Sequence, residues 1–308
     1  MGAIAVAGGT GSVGRTIAEA LIEHGKHQVI VLSRKTPSGG DVFKILQVDY
    51  NHIESTASAF EAANIDTVIC AFGMVSDESS DTQIKLVRAA DRSKCTRRFV
   101  VSEFDMLFKE EHISYIPTAK WAFDALRVIK TTSLKHTRVV NGMFLDYYGL
   151  PHWKSYLKPW VNAVNVQRKW AVIPGDGEMP VSFITTQDLG RFVARLMDLE
   201  EWPRVSCIAG VTASFNEILK LAEAARGDKF MVKYEDLQTL RKGKISFPEF
   251  EDAGFEASEQ SDEAIFALFH RVAATGGYFV PPDTALDDRF PDVKVTTAEE
   301  VLNVWRNQ

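Results

Sequence analysis

The segment of this 308-residue chain best equipped for chemistry is Gly8-Gly9-Thr10-Gly11-Ser12-Val13-Gly14. A pyrophosphate is held by backbone amides at close range, and side chains at those positions would keep it away. Gly8 permits a tight turn out of a strand, Gly11 lets the phosphates approach, and Gly14 lets the following helix pack on the sheet. The apolar run Ala3 to Ala7 before the loop, and the helical pattern Gly14 to His24 after it, supply the strand-turn-helix context that gives the glycines meaning. The loop residues Gly8, Thr10, Gly11, Ser12, Val13 and Gly14 are therefore predicted to bind a dinucleotide.

The next strand decides which dinucleotide. An acid at its end would bind a free ribose 2′-hydroxyl. The chain instead reads Leu32-Ser33-Arg34-Lys35, with no acid before Asp41. A guanidinium suits a 2′-phosphate, to which it donates in pairs while always charged. Arg34, helped by Ser33, thus predicts NADP(H), with Lys44 a second candidate for the phosphate. Asp49, ending the third strand, is placed to face the adenine edge. Phe72 and Gly73, after the fourth, let the cofactor ribose pass. Ser102 and Phe104 end the fifth strand and Asn141 the sixth, at the carboxyl edge where open α/β sheets bind ligands.

These positions require an alternating frame. Strands are predicted at Ile4–Ala7, Val29–Leu32, Ile45–Val48, Thr67–Ala71, Phe99–Ser102 and Val139–Asn141. Helices are predicted at Gly14–His24, Ser55–Asn64, Asp81–Ser93 and Thr118–Thr132. Continuous apolar strands alternating with helices describe a parallel sheet covered on both faces. Beyond this the pattern predicts a strand and turn over Ala171–Gly177, a helix Thr186–Leu199 capped by Thr186, and a helix Ser214–Arg226 with a Ser214–Glu217 capping box. Arg241–Gln260 is polar and poorly periodic, and Glu299–Arg306 reads as a short closing helix.

Composition excludes other classes. Hydrophobic residues are 45% and charged residues 25%, an ordinary globular balance. The net charge is −6, and Arg97-Arg98 is too small a basic patch for nucleic acid. No apolar run approaches a membrane span, and the apolar N-terminus lacks the basic flank of a signal peptide. The scattered cysteines, Cys70, Cys95 and Cys207, form no metal or disulfide pattern and suit reduced thiols in a cytoplasmic protein. No two of the seven histidines are spaced as a metal-ligand pair, and His24 and His27 read as surface residues. The partner expected is a small molecule, with no nucleic acid and no membrane, bound by a monomer or homodimer.

Four segments in order carry a family resemblance: the glycine loop with Arg34, Val101-Ser102-Glu103-Phe104, Asn141-Gly142-Met143-Phe144-Leu145-Asp146-Tyr147, and Val181 to Val193. The chain resembles the isoflavone reductase-like and NmrA-like branch of the atypical short-chain dehydrogenases/reductases, in the style of a filamentous-fungal member. The resemblance implies a Rossmann-type doubly wound parallel sheet with a smaller C-terminal α+β substrate lobe. It also implies use of NADPH in reducing aromatic or other unsaturated small molecules, as in secondary metabolism. The cofactor domain is then 1–150, with 171–200 returning to it, and the lobe is mainly 151–170 and 201–308.

The resemblance further implies a catalytic lysine on the helix before the N-G-x-F segment, and Lys120 matches that position, with Phe144 and Lys120 both near the cofactor. No tyrosine has a lysine four residues later, so the Tyr-x-x-x-Lys acid of ordinary short-chain dehydrogenases is missing. A lysine in a dry pocket beside a cofactor would lose its ammonium more easily and could exchange a proton near neutral pH. Asp105, Asp146, Tyr147, Tyr148 and Trp153 are the candidates for the substrate pocket. Asp105 stands where the family has glycine, and Asp124 where it often has arginine. These departures leave two alternatives open: an NADP-sensing regulator without turnover, and a redox-neutral isomerase or cyclase on the same scaffold.

Overall fold

The computed structural model describes residues 2–35, 42–248, 261–306 and 308. The reading of Asp41, and of the stretch 249–260 within Arg241–Gln260, lies outside the described residues. The strands in chain order are β1 (Ala3–Ala7), β2 (Val29–Ser33), β3 (Ile45–Gln47), β4 (Ile65–Cys70), β5 (Arg98–Asp105), β6 (Lys135–Val140), β7 (Met143–Phe144), β8 (Val164–Asn165), β9 (Trp170–Pro174), β10 (Val181–Ile184), β11 (Val205–Cys207), β12 (Val211–Ala213) and β13 (Met231–Glu235). The helices are α1 (Ser12–His24), α2 (Ile53–Ala62), α3 (Asp77–Arg92), α4 (Pro117–Ile129), α5 (Thr186–Met197), α6 (Phe215–Arg226), α7 (Leu237–Arg241), α8 (Asp262–Ala274) and α9 (Ala298–Leu302).

The chain divides into two compact units: 1–104, 108–140 and 189–206 form the first, and 105–107, 141–188 and 207–308 the second. The first holds a seven-stranded sheet in the order β11-β6-β5-β4-β1-β2-β3. β1 pairs in parallel with β2 and β4, β2 with β3, and β4 with β5. The order reverses at β1, the switch point at whose carboxyl end a doubly wound sheet opens a crevice. β1 and β4 are buried along their whole length, as the unbroken apolar runs require. Ala5, Ile30, Phe60, Val68, Leu86 and Phe99 fill the core on one side.

The second unit carries two three-stranded sheets, β12-β10-β7 and β13-β9-β8. β10 is antiparallel to β12 and parallel to β7, so the regular alternation of the first unit does not continue. Trp170, Phe247, Ile265 and Phe266 pack in one of its cores. Trp160 stacks on Phe266 with ring centroids 5.4 Å apart, and Tyr147 meets Trp160 edge-on at the same separation.

Local chemistry sets the helix starts. Ser214 caps α6 and Glu217 returns the bond, as the sequence predicts. α5 departs from expectation in its cap: the hydroxyl of Thr185, not Thr186, accepts from the Asp188 amide at 3.1 Å. Thr186 sits one position inside, where its amide and hydroxyl both donate to Asp146.

Candidate active site

α1 begins differently from α3. Ser76 caps α3 and its reciprocal bond with Ser79 closes the first turn. At α1 the cap position is Gly11, which has no side chain to bond the first amides, and no acid stands in the first turn. The positive end of the helix macrodipole is thus left for an anion. Gly8 has φ of +80°, and a Cβ there would lie 2.5 Å from the Ala71 carbonyl oxygen. A Cβ on Gly14 would lie 2.3 Å from the Gly8 carbonyl oxygen. Both glycines are therefore required by backbone approach, and the Gly11 amide closes the turn on the Gly8 carbonyl at 2.8 Å. This cradle and its open amides fit a dinucleotide pyrophosphate.

Around the loop the other nominated residues of the first unit divide. Arg34, Lys44 and Asp49 are exposed. The Ser33 hydroxyl donates to the Lys35 carbonyl at 2.7 Å, which holds the turn carrying Arg34. The Asp49 carboxylate accepts from the Asn51 amide at 3.0 Å, so it shapes the start of α2. Phe72 meets Tyr50 edge-on at 5.2 Å, and Gly73 is exposed beside it. Ser102 is 2% exposed, donates to the Phe72 carbonyl at 2.8 Å, and receives no ligand-facing freedom from that bond. Its amide donates to buried Gln83, a residue of α3 that the sequence reading missed. Glu103 is equally structural: its carboxylate receives the Arg138 guanidinium at 2.6 Å. The Ser-Glu-Phe segment thus fixes the end of β5, where Phe104 adopts a left-handed φ of +51°.

Lys120 corrects an expectation. It stands in the first turn of α4, placed there by Pro117 at the helix start. Its side chain is 55% exposed and its Nζ donates to Asp124 at 2.7 Å. This is not the dry pocket foreseen. The hydrogen bond to Asp124 raises its pKa above the ordinary lysine value, so the ammonium is stabilised rather than discouraged.

In the second unit, Asp146 and Tyr148 are also corrected as substrate residues. Asp146 is fully buried and accepts from Thr186 twice and from the Ser155 hydroxyl at 2.6 Å. Its carboxylate ties the start of α5 to the 155 segment. Tyr148 is 1% exposed and packs edge-on against Phe183. Trp153 and Phe144 are half-buried, and Phe144 pairs with Ile184 in the β7–β10 ladder. Asn141 is fully buried, with its Oδ1 lacking any partner among the described residues, an acceptor left over for a ligand. Among the described residues, the Asp105 carboxylate accepts one hydrogen bond, from the Met106 amide at 2.8 Å. Burial pushes its carboxyl up to about 6. Desolvation raises the phenols of Tyr147 and buried Tyr278; at Tyr147 the charge of Asp146 adds to it ahead of that of Asp105, and at Tyr278 that of Asp105 does. Tyr278 escaped the sequence reading because nothing local marks it.

His24 and His27 are a further correction. Their side chains are 15% and 6% exposed, and both imidazoles contact Asp198. The sequence hides this because the carboxylate lies more than 170 positions downstream.

The fold and the glycine turn define a Rossmann-type dinucleotide-binding α/β protein. Within that class, the family model of the NmrA-like family matches residues 1–277. The chain belongs to the NmrA-like family. It is 34% identical to an oxidoreductase, BOA1, of Botryotinia fuckeliana over 74% of this chain and 77% of that one. It is 30% identical to the oxidoreductase swnN of Metarhizium robertsii over 96% and 95%. A solved structure described as AtPrR2 with NADP+ and (+)pinoresinol superposes with a TM-score of 0.76 at 21% identity, covering 99% of this chain and 98% of that one. No helix of the described residues is long and apolar enough to cross a membrane.

Proposed function

We propose that the chain is an NADPH-dependent reductase of a small aromatic or polyketide-type metabolite. The observation that carries the reading is the uncapped start of α1 above its glycine cradle. Its relatives' description as oxidoreductases and the NADP+ in a structure of like fold support it. When bound, NADPH supplies the hydride.

The chain's own residues then have separable tasks. The α1 amides hold the pyrophosphate, and Arg34 at the end of β2 pairs with the 2′-phosphate. Asn141 offers its unpaired Oδ1 as an acceptor. Lys120, kept charged by Asp124, positions polar groups by hydrogen bonding. That suits it better than proton donation, because a raised pKa makes a weak acid near neutrality. Asp105, Tyr147 and Trp153, all in the second unit, are the residues proposed to meet the substrate. The enzyme is expected in the cytoplasm, as a monomer or homodimer.

Stopped-flow loss of NADPH absorbance against a panel of unsaturated aromatic substrates tests the activity. Arg34→Ala is expected to raise the KM for NADPH by about 10–100-fold, the worth of a charge-assisted hydrogen bond, and to leave NADH unchanged. Equal losses for both cofactors would remove Arg34 from the 2′-phosphate.

A further inference from the structure

At the end of α1 remote from the glycine loop, Gly25 adopts a left-handed φ of +74° and turns the chain back on itself. The turn brings His27 beside His24. The last residue of α5 is Met197, and Asp198 follows it immediately. His24 Nε2 lies 2.9 Å from Asp198 Oδ2, and His27 Nε2 lies 3.3 Å from Asp198 Oδ1. The three ligand atoms all lie within 4.8 Å of one another. All three residues belong to the first unit.

We propose that His24, His27 and Asp198 form a binding site for a first-row divalent transition metal such as Zn²⁺. Two imidazoles and one carboxylate are the donor set such ions take, at about 2.0–2.2 Å from each ligand atom. The ligand atoms are close enough together to share one ion at that radius. Two helices end here, α1 at His24 and α5 at Met197, and the negative ends of both macrodipoles favour a cation. A cleft of about 790 Å³, lined in part by Lys26, His27, Arg98 and Asp198, gives access from solvent. With three protein ligands, a fourth position stays open to water.

The neighbouring charges set the strength. Lys26 Nζ lies 2.8 Å and Arg195 3.6 Å from the same Asp198 oxygen, and both compete with the ion. Lys26 is 54% exposed, so the proposed ion displaces its ammonium into solvent. Arg98 is held elsewhere, by Asp66 at 3.4 Å and by the carbonyls of Met197 and Leu199. The site lies a helix length from the glycine loop, about 20 Å for thirteen residues. Its role is to clamp the α1 turn to the end of α5, not to take part in hydride transfer.

The test is calorimetric titration of the metal-free full-length protein with ZnCl₂, repeated with Co²⁺ for its visible spectrum. One ion per chain is expected, with a nitrogen-and-oxygen Co²⁺ spectrum lacking thiolate charge transfer. His27→Ala and Asp198→Asn should each weaken binding by at least ~10–100-fold. Lys26→Ala should strengthen it. An unchanged thermal unfolding midpoint and circular dichroism spectrum report that each variant is folded. If a variant fails to fold, the wild-type Co²⁺ spectrum and Lys26→Ala decide. Affinity unchanged in the folded variants, a thiolate spectrum from the cysteines, or weaker binding in Lys26→Ala would overturn the assignment.

Discussion

Asp105 and Asp146 are two carboxylates of one unit that the sequence nominates for the same task, and the structure separates them. Desolvation raises the pKa of both. At Asp146 that cost is offset by bonds from Ser155 and from the hydroxyl and amide of Thr186, which favour the charged form. At Asp105 one backbone amide does so, and the carboxyl stays near 6. A buried acid whose oxygens are all occupied is a fastener. One with unspent capacity near the working pH range is available for chemistry. A raised pKa alone does not tell these apart; the accounting of hydrogen bonds does.

The largest effect is expected at the fastener. Asp146→Ala removes the acceptor for the start of α5 and strips that acceptor from the buried Thr186 amide and the half-buried Ser155 hydroxyl. Each donor left unsatisfied costs about 1–3 kcal/mol. Chemical denaturation should show the loss directly. A variant within about 1 kcal/mol of the parent would mean that the network relaxes onto water, and the contrast with Asp105 would collapse.

Asp105 sharpens the contrast with the opposite sign. Its folded pKa of about 6 lies above the ordinary carboxyl value of 3.8. The native state therefore binds the extra proton, and stability contributed by this group is present at low pH and is lost as pH rises from about 4 to about 6. Above that window the charged form costs up to about 3 kcal/mol. Asp105→Asn should recover much of this at pH 8, where Asp146→Ala loses stability. If Asp105 serves the reaction, the same variant erases an inflection near 6 in the kcat profile. An unchanged slope of stability against pH between 4 and 6 would refute the assignment of the raised pKa.

Which of these features the sequence discloses follows from the range over which each is built. The glycine loop, the doubly wound sheet and the α6 capping box are encoded within a few consecutive residues, so spacing reveals them. Arg34 follows from one strand end. The fate of Asp146 depends on Thr186, 40 positions away, and that of His27 on Asp198, 171 positions away. No local pattern reports such meetings. Family position found Lys120 but not its environment, because Asp124 replaces the arginine the resemblance leads one to expect, and an acid one helical turn on becomes its partner.

That pair supplies the smallest and most discriminating change. Lys120 and Asp124 lie four residues apart on α4, with the lysine side chain 55% exposed. An exposed i,i+4 ion pair is worth about 0.3–0.5 kcal/mol, so Asp124→Asn should barely shift unfolding. Its effect on Lys120 is electrostatic: the hydrogen bond to Asp124 is the largest cause holding the ammonium pKa up. Removing it lowers that pKa toward the ordinary value. If Lys120 only orients polar groups, it remains charged near neutrality and the pH profile of kcat keeps its shape. If Lys120 gives the proton, a more acidic ammonium donates more readily, and the alkaline limb of kcat moves to lower pH. A displaced alkaline limb with unfolding unchanged would return Lys120 to the role of proton donor. A constant limb leaves it, like Asp146, a residue whose charge is committed to geometry.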